Sequence, residues 1–153
     1  MLKKICLVSV LILTGCTTAS SGRLGELPKI NSGDPSSKLV IIRVSTIVGG
    51  ANSYYVSLDG KDIFSLRSGD YTSFYIPSGE HFIAVKCFGG WTPTWKEDSK
   101  SFTAKPKQTY YFEISPNFSC AEIVAIDDDK SRKLMTDGKF VAPDILSDRD
   151  ENK

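Results

Sequence analysis

Histidine is almost missing from this chain: His81 is the only one in 153 residues. A zinc site of the usual composition draws on several His and Cys ligands, so this count argues against one. Catalysis by a Ser-His-Asp or Cys-His arrangement would have to use His81, which follows the turn Pro77-Ser78-Gly79-Glu80 and opens a strand. That position suits a structural histidine as well as a base. An excess of one charge is also lacking. Nineteen basic residues face 18 acidic ones, and no basic stripe exists to neutralise phosphates, which argues against nucleic acid as a partner. No apolar run approaches the roughly 20 residues that a bilayer-spanning helix needs. The acidic run Asp127-Asp128-Asp129 has neither the spacing nor the glycine of a calcium loop and reads as a helix cap. The remaining acids fall mainly in turns and near the C-terminus, so paired carboxylates for sugar hydrolysis cannot be picked out. No catalytic residues, metal or cofactor are therefore expected.

What is present begins at the N-terminus. Met1-Leu2 and the basic pair Lys3-Lys4 precede the apolar stretch Ile5 to Leu13, and Leu13-Thr14-Gly15-Cys16 follows. This has the pattern of a signal peptide ending in a lipobox. Its resemblance to bacterial lipoproteins implies a thioether from Cys16 to diacylglycerol, cleavage before Cys16 and acylation of the freed amine. Several acyl chains anchor far more firmly than one. By the sorting rule of such proteins, Thr17 in place of aspartate implies the outer membrane, with the domain facing the periplasm. Removal of residues 1–15 leaves 138 of 153 residues, a size that suits one domain, with 17 basic and 18 acidic groups once Lys3 and Lys4 are gone.

Of the four cysteines, Cys6 leaves with the signal and Cys16 takes the lipid. Cys87 and Cys120 remain. In an oxidising compartment two such thiols predict one disulfide; two separately buried thiols are the alternative.

Residues 16–37 form the lipidated cysteine and a stretch rich in Ser, Thr, Gly and Pro, which predicts a flexible tether spanning about 25 Å as a coil. A folded domain over 38–142 then opens abruptly with Leu39-Val40-Ile41-Ile42-Arg43-Val44. Period-two patterning and turns predict further strands at Tyr54 to Leu58, Ile63 to Leu66, Tyr71 to Ile76, His81 to Phe88, Lys100 to Ala104, Thr109 to Ser115 and Cys120 to Ile126. Asp59-Gly60 marks a hairpin. One short helix over Asp129 to Met135 follows, capped by Asp127 or Asp128 and ending before Asp137-Gly138. The charged residues 143–153 predict a disordered tail. The fold class is all-β: a single small antiparallel β-sandwich of seven to eight strands with one short C-terminal helix.

The series Leu39-Val40-Ile41-Ile42-Arg43, Tyr55-Val56-Ser57-Leu58-Asp59-Gly60-Lys61, Ser65-Leu66-Arg67-Ser68-Gly69-Asp70-Tyr71, Ile76-Pro77-Ser78-Gly79-Glu80-His81 and Gln108-Thr109-Tyr110-Tyr111 resembles an uncharacterised family of bacterial lipoproteins. That family is a domain of unknown function with a small transthyretin-like or PEGA-like β-sandwich, and the resemblance covers about Lys38 to Ala142. It implies no activity and no catalytic residues.

The strongest candidate surface is the segment from Phe88 to Trp95, which holds both tryptophans, Trp91 and Trp95, in a glycine-containing connection. Exposed, these rings suit a sugar or a protein partner; folded back, they would cover an open end of the core. The loop Thr46 to Ala51 is a second candidate. The sequence thus points to a non-enzymatic lipoprotein, held in the membrane by lipid on Cys16, that binds an envelope protein or glycan. A hydrolase using His81 is the less favoured alternative.

Overall fold

The computed structural model describes residues 20–47, 50, 52–89 and 94–146. Among them are ten strands and one helix, more strands than the seven or eight expected. The first sheet places β1 (Gly22–Arg23), β4 (Lys61–Leu66), β3 (Tyr54–Leu58), β6 (Gly79–Gly89) and β7 (Thr94–Ala104) side by side in that order, all antiparallel. The second runs β10 (Lys139–Phe140), β5 (Asp70–Pro77), β2 (Ser36–Arg43), β8 (Thr109–Pro116) and β9 (Ala121–Ile126). It is mixed rather than antiparallel throughout, because β2 pairs in parallel with β8, and β5 in parallel with β10.

Alternation decides which side chains meet between the sheets. Leu39, Ile41, Phe74, Ile76, Phe112 and Ile114 from the second sheet join Val56, Leu58, Phe64, Ile83 and Val85 from the first in one hydrophobic cluster. Phe64 and Phe74 stack at its centre with ring centroids 5.5 Å apart. Val40 and Ile42, the intervening residues of β2, are also buried but lie outside that cluster. Their face of the sheet carries helix α1 (Asp128–Thr136), tied to β8 by the Lys130–Glu113 ion pair and by the Tyr111 hydroxyl donating to Asp128 at 2.6 Å. A strand covered on both faces explains the unbroken apolar run that opens the domain.

Local signals account for the connections. Asp59 and Gly60 both have positive φ, 51° and 78°, as a type I′ hairpin turn requires, and glycine adopts this without strain. Asp127 caps the helix by accepting from the Lys130 amide at 2.7 Å, Asp128 and Asp129 fill the first turn, and Lys133 lies in the last. Cys87 in β6 and Cys120 just before β9 form the expected disulfide, with Cα atoms 6.1 Å apart, and so join the two sheets covalently.

Three expectations are corrected. Residues 20–37, predicted as tether, run along the domain: Gly22–Arg23 pairs with β4, the Leu24 amide donates to Ile63 at 2.9 Å, and Leu27 packs on the core. The open edge of β4 supplies the hydrogen bonds that hold this polar segment. Of the tail, Ile145 accepts from the Arg23 amide at 2.6 Å and Leu146 bridges to Arg23; residues 147–153 lie outside the described residues. The strand expected to begin at Lys100 begins at Thr94, and β6 and β7 pair from Gly79–Ala104 to Gly89–Thr94.

Candidate functional site

The long β6–β7 pair builds an aromatic patch on the solvent face of the first sheet. Cys87 points inward, so its neighbours Lys86 and Phe88 point outward. Phe88 stands directly opposite Trp95, and their rings meet edge to face with centroids 5.7 Å apart. Tyr55 of β3 pairs with Lys86 and contributes a third ring, 5.5 Å from Trp95 and again edge to face. Trp95 remains 61% exposed and Phe88 51% exposed, although aromatic side chains of this size usually seek burial. Beside them Lys86 lies 3.3 Å from Asp62 and 3.6 Å from Glu97, which keeps its ammonium fixed along the edge of the patch.

Phe88 and Trp95 therefore sit in strands instead of a loop, while Trp91 lies outside the described residues, as does Cys16. Tyr55 was not anticipated as part of the patch. Its signal was available in the alternation of Tyr54, Val56 and Leu58 toward the core, which sends Tyr55 outward, but the neighbouring strand could not be read from spacing. The second candidate loop packs beside the β4–β5 turn: the Thr46 amide donates to the Ser68 hydroxyl at 2.8 Å, and that hydroxyl donates to the Thr46 carbonyl at 3.0 Å. Ile47, next to Thr46, is fully exposed.

Both nitrogens of His81 are engaged. Nδ1 lies 2.8 Å from an Asp59 carboxylate oxygen and Nε2 lies 2.8 Å from the Pro77 carbonyl. The other oxygen of Asp59 accepts from the Phe82 amide at 2.9 Å. This arrangement staples the β3–β4 turn to the start of β6. Both ring nitrogens are thus bonded to groups of the two turns, and Ser101 lines the same depression as His81.

Among the described residues Arg43, at the end of β2, is the largest fully buried side chain. Its guanidinium donates to the Leu66 carbonyl at 2.7 Å and to the Asn52 carbonyl, and lies 3.7 Å from the centre of the Tyr54 ring. Burial pulls its pKa below the ordinary arginine value by disfavouring the charged form. Tyr54 in turn donates to the Cys120 carbonyl at 3.0 Å. The cation thus braces the disulfide end of the core. Asp128 and Asp129 are occupied by Arg132 at 2.8 Å each, and among the described residues no group of three or more His, Cys, Asp or Glu side chains is arranged to hold a metal ion.

A family model described as a protein of unknown function (DUF2846) matches residues 34–127, which is 94 of the 153 residues. The match contains β2 to β9 and stops at the helix cap, so the docked N-terminal segment, the helix and β10 fall outside it. No curated protein and no solved structure matches the chain.

Proposed function

Because this chain belongs to the DUF2846 family, whose description assigns no activity, we propose its function from its own surface: an outer-membrane lipoprotein, anchored through Cys16, whose β-sandwich binds a protein of the cell envelope through Tyr55, Phe88 and Trp95. The transthyretin-like arrangement belongs to the same reading, supported by two sheets sharing one core and one disulfide. The observation that carries the binding role is an aromatic cluster left more than half exposed at Phe88 and Trp95 on a paired, rigid strand scaffold. Such residues anchor protein interfaces because they exclude much water while losing little side-chain entropy.

Ring geometry favours a protein over a glycan. The interplanar angles of 60° and 62° set Tyr55 and Phe88 across the Trp95 plane, so the three rings share no flat platform for stacked sugars. The exposed indole still supports a glycan as the second reading. Affinity capture from mildly cross-linked envelopes, with the native chain and a Phe88→Ala/Trp95→Ala variant side by side, separates the two. A discrete protein captured by the native chain and reduced at least tenfold in the variant is expected, since anchor residues are worth about 2 kcal/mol or more. Recovery of glycan fragments without protein supports the second reading, and identical capture by both chains refutes a role for the patch.

A further inference from the structure

We infer that the end of the domain where the chain enters rests on the lipid bilayer surface, seated through Ile47, Phe140, Ile145 and Leu146 with Arg67 and Lys139 among them. This rests on the anchoring of Cys16 proposed above. The first described residue, Ser20, is only four residues beyond Cys16, and four residues span at most about 14 Å however they run. From Ser20 onward the chain is held to the domain. The Ser21 hydroxyl donates to the Asp70 carboxylate and accepts from the Arg67 amide at 2.9 Å, and β1 follows at once. A lipid on Cys16 would therefore bring this end against the membrane rather than let the domain roam.

The surface at that end has the chemistry of a membrane-seated face. Ser20, Ser21, Gly50, Arg67, Lys139, Phe140 and Ile145 line one depression, so the entry point and the apolar residues are neighbours. Leu146 bridges to Arg23, and Ile47 leads into Gly50, whose amide donates back to the Ile47 carbonyl at 3.4 Å. Ile47 is fully exposed, Leu146 is 63% exposed, Ile145 50% and Phe140 47%. Apolar side chains beside exposed Arg67 and Lys139 match the boundary between acyl chains and headgroups. The acidic groups here are Asp70, buried and bonded to Ser21, and the exposed Asp144 next to Ile145, so apolar contact rather than net charge carries the seating. The aromatic patch lies beside this end, two to four strand spacings, about 10 to 19 Å, from β1 across β3, β6 and β7.

The test uses the full lipidated chain in phosphatidylethanolamine/phosphatidylglycerol vesicles, with one nitroxide attached at Ile47→Cys, Ile145→Cys or, as the distant reference, Lys100→Cys on β7. The Cys87–Cys120 disulfide leaves the new thiol as the labelling site. The ratio of oxygen to nickel-chelate collisions is expected to be several-fold higher at positions 47 and 145 than at 100. Equal ratios on vesicle-bound protein, with mass spectrometry showing diacylglycerol on Cys16, overturn this inference and leave the anchoring intact. Cys16 without lipid overturns both.

Discussion

Breaking the Cys87–Cys120 bond should remove a large part of the domain's stability without changing its fold. The two cysteines are 33 residues apart, and closing a loop of that length lowers the entropy of the unfolded chain by about 12.5 cal/mol/K, equivalent to about 3.7 kcal/mol at 25 °C. That is a substantial fraction of the 5–15 kcal/mol typical of a whole domain. Reduction keeps both sulfur atoms in place and isolates the cross-link. A Cys87→Ala/Cys120→Ala variant should cost about 1 kcal/mol more, because the Cys87 side chain is buried and leaves a void. The assay is urea unfolding followed by tryptophan fluorescence. With a slope near 1.5 kcal/mol/M, within the usual range, reduction should lower the midpoint by roughly 2.5 M. A shift below about 0.5 M would refute the reasoning, since it would mean that the unfolded chain gains nothing from release of the link.

Replacing Arg43 with alanine should destabilise the domain by about 3 kcal/mol or more, because the buried carbonyls of Asn52 and Leu66 lose a charged donor and the side chain leaves a cavity; a loss under 1 kcal/mol in urea unfolding contradicts the bracing role. The Tyr111 pKa is raised, first by its hydrogen bond to Asp128 and then by burial. That bond needs the neutral phenol, so its contribution is complete below the unfolded value near 10 and is lost as pH rises through the higher folded value. An ultraviolet titration should show a late tyrosine phase that Tyr111→Phe removes, and an unchanged titration of the variant would contradict it.

Much of the framework was legible because its signals are local. Asp59-Gly60 announces a hairpin through its turn geometry, Asp127 announces the helix through its side-chain cap, and two leftover cysteines announce a disulfide. What escaped is structure held by partners distant in sequence. The front half of β7, Trp95-Lys96-Glu97-Asp98-Ser99, carries no regular apolar alternation because an edge strand is wetted on much of its surface; its pairing to β6 supplies the order. β1 and β10 are two residues each and show no periodicity at all. Leu24, Leu27 and Ile30 hinted that the supposed tether had an apolar side, but nothing local tells such a segment which edge to join. The aromatic patch was half legible: Phe88 and Trp95 stood out as residues, while Tyr55 belongs to it only through the adjacency of β3 and β6.

The place of β2 at the centre of the second sheet has a consequence for the order of assembly. Its two neighbours, β5 and β8, begin 27 and 66 residues beyond Arg43, and the bond with β8 is parallel, so no hairpin can complete that sheet. The second sheet has one hairpin, β8–β9 at its edge, whereas the first contains the hairpins β3–β4 and β6–β7, which come earlier in the chain. When the chain emerges in order, those hairpins can close as soon as both strands are out, while Leu39 to Ile42 can pair only with β5 at first and keep one edge open until β8 arrives. The same order leaves Cys87 without its partner until Cys120 has emerged, so the disulfide closes a domain most of whose strands are already gathered.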